Sequence, residues 1–365
     1  MTGSFNPIDI GEWCEQAYLK PIDKLFAAIA ENNVKVVQHI VEAGEVHVNH
    51  RDHVGRTPLH VAIMCGSSDC ALALIDSGAL MVARLVDGRT ALHLAAQMNL
   101  PSVVEKLLER STINAERIKE AEKAAADEAA KKKQKHTEDE SNEDEDDDER
   151  PSSEDDWSSE EDDNKKETKN SAKAEDSAQL AEDTDVLEDN TDLPNVLDIN
   201  ATDWDLAFTP LAYAIVGGFE RIVQTLLNAG ADPKMPTRAK ANIFDTHVLH
   251  PLTLTIFNDN EDRAIAIVDQ LLRAGASSSQ ANEELYSIFH SVVRSGKTRI
   301  IVKLLEADPK SAAALNIPTF CRGKAVYPLV SAIAKGYLAI AVYLIAYGAN
   351  VAISADDLQK AKNMR

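Results

Sequence analysis

Histidine and cysteine are the residues of this 365-residue chain best suited to chemistry, and they number ten and four. His60 and His93 are the most open to a catalytic or metal-binding reading, because both stand in one repeated setting. Gly55-Arg56-Thr57-Pro58-Leu59-His60-Val61-Ala62 is answered 33 residues later by Gly88-Arg89-Thr90-Ala91-Leu92-His93-Leu94-Ala95. Acid–base or zinc chemistry needs more than a repeated imidazole. The sequence has no His-Glu-x-x-His run, no Cys-x-x-Cys pair and no His/Cys set at zinc-ligand spacing. Gly217-Gly218 reads as a turn rather than a phosphate-binding loop, and no nucleophile–base constellation is visible. The carboxylates of 138–163 are dense but lack the ordered spacing and glycine of a calcium loop, so cation binding there would be polyelectrolyte in kind. No enzyme activity, no metal and no cofactor are expected.

The cysteines, at 14, 65, 70 and 321, do not make a disulfide framework. Cys65 and Cys70 are expected to be small buried hydrophobes in a reducing compartment. Met1–Asp9 lacks the basic and apolar regions of a secretory signal, so an intracellular site, cytoplasmic or nuclear, is expected. Tyr337–Ile353 carries no charge over 17 residues. It contains Gly348-Ala349-Asn350 and falls in phase with the repeated phrase, which predicts a buried last helix rather than a membrane span.

The elements that must position these residues follow from the repeat. A period of about 33 with the wording Thr-Pro-Leu-His, a glycine some nine residues on, paired Val and Leu, then Gly-Ala, resembles the ankyrin repeat. Each piece has a physical reason. Proline starts a helix where its missing N–H costs nothing. Glycine ends one by accepting left-handed torsions. The resemblance implies an all-α solenoid of about seven helix-turn-helix repeats with short hairpin fingers. It also implies a structural role for His60 and His93, bonded within their own turn and to a neighbouring repeat.

Repeat by repeat, Thr57–Gly78, Thr90–Arg110, Thr209–Asp232 and Tyr327–Asn350 match in wording, whereas Asp23–Gly44, Pro251–Ala276 and Ser287–Ala307 match in spacing and order. Extra residues between repeats four and seven should lengthen the fingers around 233–249, 277–286 and 308–326. The domain reading is a lead-in over 1–19, repeats one to three over 20–110, a charged helix over 111–136, an acidic insertion over 137–195, repeats four to seven over 196–353 and a C-terminal capping helix over 354–365, with Ser354 as its N-cap.

Charge is concentrated in the insertion. Residues 137–193 hold 26 Asp/Glu against 5 Lys/Arg, a net of −21 out of −22 for the whole chain. Such a segment cannot bury enough apolar area to offset its ordering entropy, so disorder is the expectation. The acidity argues against nucleic acid as the main ligand. Before it, Asp127 with Lys131 and Glu128 with Lys132 support a solvated helix, with too few apolar positions for a convincing coiled coil. Ser152, Ser153, Ser158 and Ser159 precede acids in the pattern of an acidophilic kinase of the casein kinase II type, beside the lone Trp157.

These readings converge on a non-enzymatic scaffold, expected as a monomer, that binds a protein partner. By the resemblance, the partner lies on the concave face made by hairpin tips and inner helices. The candidate contacts are His53, Arg56, Val86, Asp87, Arg89 and Trp204, with the two in-phase arginines suited to an acidic partner. Basic proteins are the class the acidic insertion would attract. Two other functions fit the same residues: the targeting region of a larger multidomain enzyme, or a chaperone for a basic client.

Overall fold

In the computed structural model, residues 20–139, 194–242, 245–282, 285–307, 311–321 and 324–351 are described. The chain separates into two compact units, residues 1–116 with 193–365, and residues 117–192. The acidic stretch over 140–193, the lead-in 1–19 and the segment 352–365 lie outside the described residues, and with them the expectations of disorder and of a capping helix.

Among the described residues of the first unit, the helices form seven pairs. The inner helices are α1 (Pro21–Ala30), α3 (Pro58–Met64), α5 (Ala91–Gln97), α7 (Pro210–Gly217), α9 (Pro251–Leu254, extended by a 3-10 turn Thr255–Phe257), α11 (Ile288–Ser295) and α14 (Pro328–Lys335). Their outer partners are α2 (Val34–Glu42), α4 (Ser68–Asp76), α6 (Pro101–Asp139), α8 (Glu220–Asn228), α10 (Glu261–Arg273), α12 (Thr298–Ala307) and α15 (Leu338–Ala346). A short helix, α13 (Ser311–Ala314), precedes the last finger. Consecutive inner helices pack on one another, and α5 packs directly on α7, so repeats three and four are stacking neighbours despite the insertion between them.

The fingers lengthen from repeat four onward. Strand β1 (Thr237–Asn242) pairs antiparallel with β2 (Asp245–Leu249), and β3 (Thr319–Cys321) with β4 (Lys324–Val326). A single bridge, Ala281 to Ser287, closes the finger between them. These are the three places where the spacing exceeds that of the first repeats.

Burial follows the small aliphatic content. Leu25, Ile29, Leu59, Leu74, Leu92, Leu107, Leu211, Leu226, Ile267 and Leu304 lie in one continuous core that runs along the stack. Several turn residues add a polar stitch between repeats. Ser67 Oγ donates to Ile29 O (2.7 Å), Asn258 Nδ2 to Ile215 O (2.9 Å), Lys297 Nζ to Ile256 O (2.7 Å) and Lys335 Nζ to Arg294 O (2.8 Å). Each reaches the end of the preceding inner helix, where carbonyls lack an intrahelical donor.

The insertion enters and leaves at one place. Ser111 Oγ accepts from Leu197 N (2.8 Å), and Asn114 Nδ2 donates to Asn195 O (2.8 Å). Asn195 in turn bonds Met81 N and Ala79 O of the second repeat. The stretch Pro194–Asn200 therefore supplies the loop that repeat three otherwise lacks.

Two expectations need correction. Cys65 is exposed, because it stands at the C-terminal cap of α3, where the chain turns outward; Cys70, inside α4, is buried. The last helix is not buried all round. Ile340, Ala341 and Leu344 face the core, while Leu338, Val342, Tyr343, Ile345 and Tyr347 are exposed.

Candidate functional site

The first three complete fingers share one construction. Its base is a backbone bond from the residue that opens the finger to the one that closes it: Asp52 N to Arg56 O, Leu85 N to Arg89 O and Asp203 N to Phe208 O. In that register His53, Val86 and Trp204 occupy equivalent positions, each directly after the opening residue. All three are exposed, Val86 at 80% and Trp204 at 66%. The fourth-repeat finger carries one extra residue, and Ala207 takes the left-handed torsion (φ 49°) that Gly55 and Gly88 take in the others.

Arg51 and Arg84 lock the fingers side by side. Arg51 Nη1 donates to Gly55 O of its own finger (2.9 Å) and to Arg84 O of the next (3.2 Å). Arg84 Nη1 repeats the arrangement with Gly88 O (2.6 Å) and Thr202 O (3.0 Å). Sequence reasoning missed both residues. Their signal was the same spacing of 33 that located the repeats.

Trp204 reaches back over the third finger. Its backbone N–H donates to Asp87 O (2.9 Å), and its ring lies where a side chain on Gly88 would stand. The indole is therefore held in place while most of its surface stays exposed. It forms an apolar tip with Val86, and Val54 continues the exposed surface on the preceding finger.

The arginines singled out from the sequence each pair with an aspartate of their own finger. Arg56 Nε pairs with Asp52 Oδ2 at 2.7 Å, and Arg89 pairs with Asp87 Oδ2 at 2.6 Å while donating to Gln97 Oε1. Burial pulls the carboxyls of Asp52 and Asp87 upward, but the bonds from Arg56 and Arg89 overcome it and hold both below their ordinary range. Both ion pairs lie within their own finger, and His53, Val86 and Trp204 are exposed beside them. Ser152, Ser153, Ser158 and Ser159 lie outside the described residues.

The histidines are structural. Thr90 N donates to His93 Nδ1 (3.1 Å), which places the proton on Nε2, and Nε2 then donates to Ala201 O of the next finger (3.0 Å). Thr57 with His60 and Ser287 with His290 repeat the capping arrangement. Burial pushes all three imidazoles down to about 4, with the Arg51 charge adding to the effect at His60. At neutral pH they are uncharged. Behind the fourth finger, Tyr213 Oη donates to Asp203 Oδ2 (2.6 Å); burial and that carboxylate push the phenol pKa up. Asp203 also accepts from Leu206 and Phe208, so it braces the finger that presents Trp204.

Comparison with known proteins gives the same architecture. A family model for ankyrin repeats in three copies matches residues 25–117, and a single ankyrin-repeat model matches 208–238. The chain is 32% identical over 91 residues to the B-cell lymphoma 3 protein homolog of Mus musculus, covering 24% of this chain and 20% of that protein. It is 37% identical over 76 residues to Regulatory protein NPR1 of Arabidopsis thaliana, covering 21% and 13%. The matches thus span a fifth or less of these relatives. Among solved structures, the ankyrin repeat domain of Bcl-3 aligns with a TM-score of 0.52 at 18% identity, over 88% of this chain and 97% of that one. The human ASB11 ankyrin repeat domain aligns at 0.50 and 17% identity, over 90% and 99%. Among the described residues no helix is long and apolar enough to cross a membrane.

Proposed function

Since the chain is an ankyrin-repeat protein, we propose that it is a non-enzymatic scaffold that captures a protein partner across the tips of its first three fingers. One observation carries the reading. His53, Val86 and Trp204 stand in register on fingers cross-linked by Arg51 and Arg84, and Val86 and Trp204 are large apolar groups held in solvent. Exposed aromatic and aliphatic groups on a preorganised frame are what an interface hot spot needs, since little side-chain entropy is lost on binding. The neighbouring arginines are already paired with aspartates, so the contact is apolar rather than a salt bridge to an acidic partner.

The free thiols Cys65 and Cys70 favour an intracellular, reducing site, cytoplasmic or nuclear. The segment 137–193, with its net charge of −21, supports a second role as a regulatory or basic-protein-binding arm. The same charge supports the alternative of a chaperone for a basic client, and the short span of the relatives keeps open the targeting region of a larger protein.

Affinity capture with the full chain tests the proposal. Val86→Asp and Trp204→Ala should each lose partners that Arg221→Ala, on outer helix α8, retains. Equal recovery by all three variants would place the interface elsewhere. Recovery of basic proteins that is lost when 137–193 is deleted, and lost from the full chain when salt is raised, would favour the basic-client reading.

A further inference from the structure

The outer helices of the stack carry charge, and adjacent ones are tied by ion pairs. Lys106 pairs with Asp76 (3.0 Å), Arg221 with Glu105 (2.8 Å), Arg299 with Asp262 (2.6 Å) and Lys303 with Asp269 (2.7 Å). Helix α15 differs, because Leu338–Ala346 has no charged residue. Counted back from the glycine that closes each repeat, Leu338 and Val342 stand where repeat four has Glu220 and Gln224. They are 72% and 64% exposed; with Val86 and Trp204 they are the four most exposed large hydrophobics among the described residues. Leu338, Val342 and Ile345, at i, i+4 and i+7, form one stripe along α15, away from the side that Ile340, Ala341 and Leu344 bury. Tyr343, Tyr347 and Val351 of the same repeat are also bared. Together the six expose the equivalent of about three whole side chains, on the order of 500 Å², the upper range of what a monomer leaves bare.

We propose that the occupant of this surface is a second copy of the chain, with α15 packed on α15 about a two-fold axis, in place of the monomer expected from the sequence. Charge selects this partner. A two-fold contact sets a surface against its own duplicate, so a charged outer helix meets like charges. Each of α2, α4, α6, α8, α10 and α12 has such charges, and α15 alone among the outer helices has none. Geometry agrees. With the two helices antiparallel, Val342 at the middle of the stripe lies beside the axis, and Leu338 of each copy meets Ile345 of the other. Three apolar residues over two turns are the spacing of a packed helix pair. Two such faces bury on the order of 1,000 Å², near the lower bound for a specific interface, so the dimer forms in the micromolar range. The net charge of −22 on each chain opposes the encounter, and association strengthens as salt screens it. Val86 and Trp204 belong to other repeats, so the dimer carries two capture surfaces. Resting on the function proposed above, it holds a partner with two sites more tightly than one chain does.

Sedimentation velocity on the full chain, from about 1 to 100 µM, tests this over the range that suits a small interface. Wild type should pass from one chain toward two as concentration rises, and at lower concentration when salt is raised. Val342→Asp and Val342→Lys should each stay monomeric, because like charges then meet beside the axis. Their circular dichroism should match wild type, since Val342 faces solvent in the single chain. An equimolar mixture of the two variants should associate again, which a misfolded variant would not do. Trp204→Ala should dimerise as wild type does. A wild-type chain that is monomeric throughout would overturn the proposal. So would a dimer that survives Val342→Asp, a mixture that stays monomeric, or a dimer lost in Trp204→Ala, which would move the pairing to the fingertips.

Discussion

A Cβ built on Gly88 falls 2.6 Å from Trp204 Cγ, so the indole of the fourth finger occupies the space that only a glycine leaves in the third. Gly55, in the same position one repeat earlier and at the same torsion (φ +82°), has nothing within 4 Å. The pair is a natural control. Gly55→Ala should cost about 1–2 kcal/mol, the strain of a left-handed alanine. Gly88→Ala should cost that and the displacement of Trp204 as well. The thermal midpoint of Gly88→Ala should therefore lie below that of Gly55→Ala, and Trp204→Ala should close most of the gap. Equal midpoints would mean that the indole does not rest on Gly88.

Removing 137–193 should leave the solenoid standing. The chain departs and returns at Ser111, Asn114 and Asn195, and those bonds do not involve the deleted residues. Thermal melting should move little, and circular dichroism should keep nearly the same helical signal per molecule. Asn195→Ala, by contrast, should lower the midpoint, because Met81 N and Ala79 O both lose a partner. A large loss on deletion would show that the acidic segment packs on the repeats.

Stability should fall as pH falls from neutrality. His60, His93 and His290 titrate at about 4 in the fold against 6.5 unfolded, so between those values the unfolded chain binds more protons. The contribution is intact above pH 6.5 and is lost progressively toward pH 4. Each histidine is worth on the order of 3 kcal/mol across that window, a large share of a stability that is commonly about 5–15 kcal/mol. Thermal midpoints from pH 7.5 to 5 should decline. His93→Gln should melt lower at pH 7.5 but with a shallower pH slope. A midpoint independent of pH would contradict the buried neutral state.

Much of the fold was legible because the Thr-x-x-His phrase is local chemistry. Thr57, Thr90 and Ser287 announce their caps within four residues, and Gly218, Gly296 and Gly336 announce the ends of their helices. The site was legible only in part. His53, Val86 and Trp204 could be placed on fingers, but the rest of that surface depends on who pairs with whom. Arg56 and Arg89 read as open cations, yet each folds back on an aspartate two to four residues away. The Trp204–Gly88 contact joins residues 116 apart across the insertion, through a finger one residue longer than its neighbours. The bared face of α15 escaped for a related reason. A run without charge signals burial, and its exposure depends on what stands next in the stack.

Leu107→Asp should unfold much of the N-terminal half. Leu107 is fully buried where α6 meets the core, and an unpaired carboxylate there costs several kcal/mol. Because repeats couple only to their neighbours, repeats five to seven should keep their protection. Limited proteolysis should cut within 20–110 first. An unchanged digestion pattern there would remove Leu107 from the core.

The last prediction separates two ways the fingertips could work. If arginine charge drove capture, joint replacement of Arg56 and Arg89 by alanine would abolish it, and capture by Trp204→Ala would persist. The pairing of both arginines with their own aspartates argues for the reverse. Arg56→Ala with Arg89→Ala should lower the thermal midpoint, since Asp52 and Asp87 are left without their partners, and should weaken partner binding modestly. Trp204→Ala should leave the midpoint near wild type and weaken binding by at least tenfold, the scale of a lost hot-spot aromatic at about 2 kcal/mol. Val86→Asp should behave as Trp204→Ala does. A tenfold loss confined to the double arginine variant at unchanged stability would instead assign the surface to an acidic partner.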